Sequence, residues 1–201
     1  MSEQAKRTRM SAKDRRASIL DAATEVFTEV GYRAGKASAV ARRVGVSEPI
    51  VFQNFGTKST LFAAVVDRAA ERVCAMLDQM TASEVPVPDL LRDMLTPDHL
   101  ARVHGAGQIG AIFADAASIT DDPAIEAAAR ASTRRFATSL TALLRRGQTD
   151  GHLRPTLDTD AATWWLLSLL ASQRFRRTTA PASGEIEAKV AASILTFLVA
   201  P

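Results

Sequence analysis

Apolar residues along this 201-residue chain recur at helical spacing almost from end to end. Between Lys13 and Val30 they fall at Ile19, Ala23, Val26, Phe27 and Val30, one stripe of a single helix that Gly31 is expected to close. Two short helices follow, at about Lys36–Val44 and Glu48–Gln53. A long one then starts near Lys58, capped by Thr57, with Leu61, Phe62, Val65, Ala69, Val73, Met76, Leu77 and Met80 on one side. Pro86 and Pro88 mark a loop, and shorter helices are predicted over Asp89–Leu95, Asp98–His104 and Gln108–Ser118. Asp121-Asp122-Pro123 starts a helix running to about Arg146, with Gly147 and Gly151 as the break. A helix starting at Asp158 or Asp160 and running to Arg177 comes next, then a Thr178–Gly184 loop. The last helix carries Ile186, Val190, Ile194 and Phe197. No segment alternates as a strand would, so the fold class expected is all-α.

The two short helices carry the most specific signal. Val40 and Val44 share a face of the first, and Gly45 supplies a left-handed stop at no Cβ cost. Ser47 is a favourable N-cap for the second, and Pro49 sits in its first turn, where a missing amide donor is harmless. The common use of a tight helix-turn-helix in small soluble proteins is to place its second helix in the major groove of DNA.

Charge follows the same division. Residues 1–58 hold 11 Lys and Arg against 6 Asp and Glu, whereas residues 59–201 hold 14 against 16. Positive charge therefore gathers where a polyanion would bind. An N-terminal arm with Lys6, Arg7, Arg9, Lys13, Arg15 and Arg16 suits either solvent or a DNA backbone. The one cysteine, Cys74, excludes an internal disulfide framework and fits a reducing cytoplasm. No apolar run is long enough for a membrane span, and no signal peptide is expected.

Trp164-Trp165-Leu166-Leu167-Ser168-Leu169-Leu170 is apolar nearly all the way round its helix. Such a helix needs cover on two sides. The subunit's own core supplies one side, and a second copy of the chain is expected to supply the other. A twofold dimer would in turn present two reading helices to a palindromic site.

Ile19-Leu20-Asp21-Ala22-Ala23, Phe27, Gly31-Tyr32, Val40-Ala41-Arg42, Gly45-Val46-Ser47, Phe52, Phe55, Lys58 and Leu61-Phe62 together resemble the TetR family of transcriptional regulators. The resemblance is specific over about Arg16 to Leu61 and architectural beyond it. It implies an N-terminal helix-turn-helix DNA-binding domain (1–57) and a C-terminal helical domain for effector binding and dimerisation (58–201). It also implies a homodimer through the last two helices, a palindromic double-stranded DNA operator, and release of that operator by an unidentified small molecule. Repression is the expected sign of regulation. No cofactor, metal or membrane is expected, and the cell compartment is the cytoplasm.

Carried onto this chain, the family pattern makes Ser47, Lys36 and Lys58 the first choices for phosphate contacts, with Arg42 and Arg43 behind them. Glu48, Pro49, Ile50 and Gln53 are expected on the groove side, with Phe52 and Asn54 completing the helix. Gln53 can pair with adenine, Ile50 can pack on a thymine methyl, and Glu48 can accept from cytosine. The chain departs from the family at three places. Gly35-Lys36 stands where Thr is frequent, and Phe52 where Tyr commonly reaches a phosphate. Pro49 beside Glu48 replaces a small residue. Phe52 is expected to keep a packing role there, and the three changes suggest an altered operator preference.

Met76, Met80, Ile109, Ile112, Phe113, Phe136, Leu140 and Trp164 or Trp165 are the apolar side chains available for an effector pocket; Gln108, Gln173, Asp115 and His104 could orient a ligand. An enzyme is the competing class. His99 and His104 stand five apart without a carboxylate at ligand spacing, and Cys74 lies in an apolar helix, so catalysis is not expected. An architectural DNA binder without an effector is the remaining alternative.

Overall fold

The computed structural model describes residues 11–104, 107–180 and 183–200. Eleven helices are found there: α1 (Ala12–Ala34), α2 (Ala37–Val44), α3 (Glu48–Phe55), α4 (Lys58–Ala82), α5 (Val87–Met94), α6 (Pro97–His104), α7 (Ile109–Ser118), α8 (Pro123–Thr149), α9 (Thr159–Ala171), α10 (Gln173–Thr179) and α11 (Ser183–Leu198). The only extended pairing among the described residues is one antiparallel bridge between Leu153 and Val199. The fold is all-α.

Two buried clusters organise these helices. The first joins Ile19, Ala23, Val26 and Phe27 of α1 to Val40 of α2, Val51 and Phe55 of α3, and Leu61, Phe62 and Val65 of α4. It does not end at residue 57: Ile112 and Ala116 of α7 and Ile125 and Ala128 of α8 belong to it too. The second gathers Leu77, Leu91, Leu140, Leu143, Leu144, Leu166, Ile194 and Leu198. α4 runs through both, with α8 as its main neighbour along the way. α8 is packed in both cores as well, so these two helices together link them.

Several expectations are corrected. Gly31 (φ 75°, ψ 170°) interrupts α1 rather than ending it, and one more turn follows. Val30 is exposed, because Phe27 and Val26 already fill that end of the core. Pro86 caps α5 and Pro88 sits in its first turn, where proline costs no hydrogen bond. Gly147 lies inside α8, since a Cβ there would come within 2.8 Å of Val87 and 2.9 Å of Leu153; it is a point of close approach, and the turn comes at Gly151 (φ 76°). The helix expected over Asp160–Arg177 is broken at Ser172, whose hydroxyl donates back to the Ser168 carbonyl at 2.9 Å. Phe197 faces outward, and Leu198 takes the buried position instead.

Candidate nucleic-acid interface

The sequence builds the reading unit by packing and caps. Ala37, Val40 and Ala41 bury one face of α2. Gly45, at φ 74° and ψ 33°, then turns the chain, and the Val46 amide donates to the Ala41 carbonyl at 3.0 Å. Val51 and Phe55, four apart, bury the inner face of α3. Glu48, Pro49, Phe52 and Gln53 then fall on the opposite, exposed side, with Ser47 ahead of them. Gly56 ends α3, and Thr57 opens α4 with a capping box: its hydroxyl accepts from the Thr60 amide at 3.1 Å while its own amide donates to the Thr60 hydroxyl at 2.9 Å.

Side chains from α1 hold this unit in place. The Arg16 guanidinium donates to the Asn54 carbonyl and lies 4.0 Å from the centroid of the Phe55 ring, clamping the last turn of α3. Arg43 is turned back to Glu29 (2.6 Å) and Glu25 (3.4 Å) of α1. Gly35 lets the α1–α2 turn pass the Phe27 ring, which a Cβ would approach to 2.5 Å.

The predicted contacts separate accordingly. Lys36, Arg42, Ser47, Glu48, Pro49 and Gln53 are exposed around α2 and α3. Lys36 is the N-cap residue of α2, but its side chain makes no cap bond. Ser47 is the N-cap residue of α3 as expected, but its hydroxyl makes no cap bond either and is left to face solvent. Ile50 is partly buried against the first core. Asn54 donates to the Ile50 carbonyl at 2.8 Å within α3. Phe52 does not pack inside; it is 37% exposed, because Val51 and Phe55 occupy the core positions. Arg43 is exposed but paired, so its charge is already partly neutralised.

Lys58 has a more built environment. Its ammonium donates to the Arg33 carbonyl at 3.1 Å and sits 4.6 Å from the centroid of the Tyr32 ring. Partial burial pulls its pKa below the usual lysine value. Tyr32 packs against Phe62 (centroids 4.8 Å) and Phe27 (6.2 Å). Burial, and then the charges of Asp122 and Asp121, raise its phenol pKa, while a Ser59 hydrogen bond opposes them. The sequence reading passed over Tyr32 and Arg16 as site residues; an aromatic next to a helix-breaking glycine was the available signal for the first.

The predicted effector residues do not converge on one cavity. Ile109, Ile112 and Phe113 pack with the first core, whereas Met80 and Leu140 pack with the second. Phe113 and Phe136 meet edge to face at 5.0 Å, both partly buried. Met76 and Trp164 are exposed, 37% and 51%. A groove of about 290 Å³ runs between α9 and α11 instead, lined by Trp165, Leu169, Ile186, Lys189, Val190, Ser193 and Ile194. Of the suggested polar groups, Gln108 is exposed and Gln173 buried, and Asp115 is engaged by a backbone amide. The His104 side chain and the first ten residues, with Lys6, Arg7 and Arg9 of the basic arm, lie outside the described residues. Among the described residues, no group of His, Cys, Asp or Glu could hold a metal, and no helix is long and apolar enough to cross a membrane.

Three packed helices whose third, α3, presents an exposed outer face, set in a basic N-terminal segment, form a helix-turn-helix DNA-binding domain. Residues 19–65 match the family described as bacterial regulatory proteins, tetR family. The N-terminal domain of this chain belongs to that family. The HTH-type transcriptional activator FasR of Mycolicibacterium smegmatis is 37% identical over 71 residues, 35% of this chain and 32% of that protein. An HTH-type transcriptional repressor of Mycobacterium tuberculosis is 35% identical over 69 residues, 34% of this chain and 37% of its own length. The chain thus matches about a third of the length of these curated relatives. Over the whole fold, the transcriptional regulator FadR of Bacillus subtilis in complex with stearoyl-CoA superposes with a TM-score of 0.68 at 14% identity, covering 90% of this chain and 98% of that one.

Proposed function

We propose that this protein is a homodimeric, sequence-specific transcriptional regulator that acts on palindromic DNA in the cytoplasm and responds to a small-molecule effector. The single observation that carries the reading is the exposed face of α3, where Ser47, Glu48, Pro49, Phe52 and Gln53 stand clear of the core beside exposed Lys36 and Arg42. In this reading Gln53 and Glu48 read base edges, while Lys36, Ser47 and Lys58 bind backbone phosphates.

Dimerisation is supported by the outward aromatic surface of the C-terminal helices. Trp164, Trp165, Phe175 and Phe197 are all exposed there, and Trp165 and Phe197 stack edge to face at 5.2 Å across α9 and α11. An effector site among the C-terminal helices is supported by the stearoyl-CoA complex of a similarly folded regulator. Repression is the sign we propose. Relatives of both signs, an activator and a repressor, are each similar to about a third of this chain, and the sign rests on where the operator lies relative to a promoter.

The test is a salt titration of binding to duplex DNA, because each phosphate contact adds to the salt dependence. Lys58→Ala should weaken all sequences about equally and lower the slope of log affinity against log salt by about 1 per protomer. Gln53→Ala should leave the slope unchanged and alter sequence preference. The reverse pattern would reject the assignment, and equal affinity for all sequences in the wild type would favour an architectural DNA binder.

A further inference from the structure

Gly31 interrupts α1 at φ 75° and ψ 170°. The Tyr32 amide therefore opens a fresh turn without an intrahelical acceptor, as at any helix start. Its acceptor comes from a distant element. The Tyr32 N–H donates to Asp115 Oδ2 of α7 at 2.7 Å, across 83 residues of chain. A Cβ on residue 31 would lie 2.9 Å from that same oxygen. Glycine is thus required there twice, for the positive φ and for the approach of the carboxylate.

The turn that Asp115 caps is also the seat of Lys58. One of the two contacts that place the Lys58 ammonium is the Tyr32 ring, and the other is the carbonyl of Arg33, the next residue. Asp115 itself is held by α7, which belongs to the first core through Ile112 and Ala116. A carboxylate on one helix, a backbone amide, an aromatic ring and an ammonium therefore form one continuous path from α7 to the N-terminus of α4. That path does not pass through α2 or α3.

We propose that Asp115 is a positioning residue for the DNA interface, setting through the Gly31–Arg33 turn where the Lys58 ammonium stands. The proposal rests on the reading of Lys58 as a phosphate contact. A shift of α7 then withdraws the cap, loosens the turn and moves a phosphate-binding charge, so that the C-terminal helices gain a second route to the operator besides α4.

The test uses the full-length protein and a 30-base-pair duplex of random sequence, with affinity measured across a range of salt. Lys58→Ala should lower the salt slope by about 0.9 per protomer. Asp115→Ala should lower it by nearly as much, and the double variant should match Lys58→Ala alone, because both changes remove the same contact. Asp115→Asn keeps a side-chain carbonyl to accept the Tyr32 amide and should stay near wild type. Should Asp115→Ala fail to fold in a thermal melt, Asp115→Ser, whose hydroxyl is too short for the cap, takes its place in the cycle. Additive losses in the double variant, or an Asp115 variant that is folded with the wild-type slope, would overturn the proposal. An unchanged slope in Lys58→Ala would overturn it at its premise, and would locate the failure in the phosphate role of Lys58 rather than in the path from Asp115.

Discussion

The guanidinium of Arg16 lies over the ring of Phe55, 4.0 Å from its centroid, and donates to the carbonyl of the residue before it, Asn54. One charged side chain of α1 thus stacks on the core anchor of α3 and caps that helix's end. A cation near a helix C-terminus is favoured by the helix dipole as well as by the ring.

Arg16→Met should therefore loosen α3 without removing any side chain from its exposed face. Both contacts are near the surface, so the loss of stability should be small, about 0.5–1 kcal/mol. Urea denaturation measures it. DNA affinity should fall for every sequence, with the preferred sequence unchanged.

The C-terminal end of α4 is held by a single arginine. Arg146 donates to the carbonyls of Met80 (2.9 Å), Thr81 (3.3 Å), Ser83 and Val85 (2.6 Å), at and just beyond the last turn of α4, where the Ser83 amide and hydroxyl also donate to Met80. Its side chain is 15% exposed. Arg146→Ala should cost about 2–3 kcal/mol, the range for hydrogen bonds to a charged group. Lysine should not rescue it, because one ammonium cannot span four carbonyls as a planar fork does. A thermal melt of the three proteins checks both statements.

Gly147 sits beside that arginine in α8, and a Cβ there would meet Val87 at 2.8 Å and Leu153 at 2.9 Å. Gly147→Ala should destabilise by about 1–3 kcal/mol through overpacking, although alanine is the better helix former. A gain in melting temperature would show that α5 and the 150–155 loop yield more readily than this packing implies.

The outward aromatics of α9 and α11 predict the oligomeric state. Trp164→Glu and Phe197→Glu each place a charge on a face that is 51% and 54% exposed in the single chain, so the subunit should still fold. Light scattering should show the wild type as a dimer and the variants shifted toward monomer. Variants that remain dimeric would place the interface elsewhere.

How legible all this was in the sequence depended on the range of the interaction. The core faces of α2 and α3 follow from residues four apart, and the Gly45 turn from one residue, so both could be read directly. The Thr57 cap was equally local. The break at Ser172 could not be read, because no glycine or proline marks it and a hydroxyl bond to Ser168 is compatible with an unbroken helix. Gly147 was misread for the opposite reason: a helix breaker by propensity, it serves here to let two other elements approach. Asp115 looked like a polar group available to a ligand, since its contact with Tyr32 spans 83 residues and leaves no periodic trace. The effector set failed to converge because helical periodicity identifies apolar faces without saying which of two cores each one enters.

We propose that α3 reads DNA sequence from a twofold dimer. The most direct test is an unbiased selection from random duplexes with the full-length protein at fixed, near-physiological salt. An enriched inverted repeat whose half-sites are about one helical turn apart is expected, with a changed consensus for Gln53→Ala. Retention of duplexes with no enriched repeat, the same for wild type and for Gln53→Ala, would contradict it.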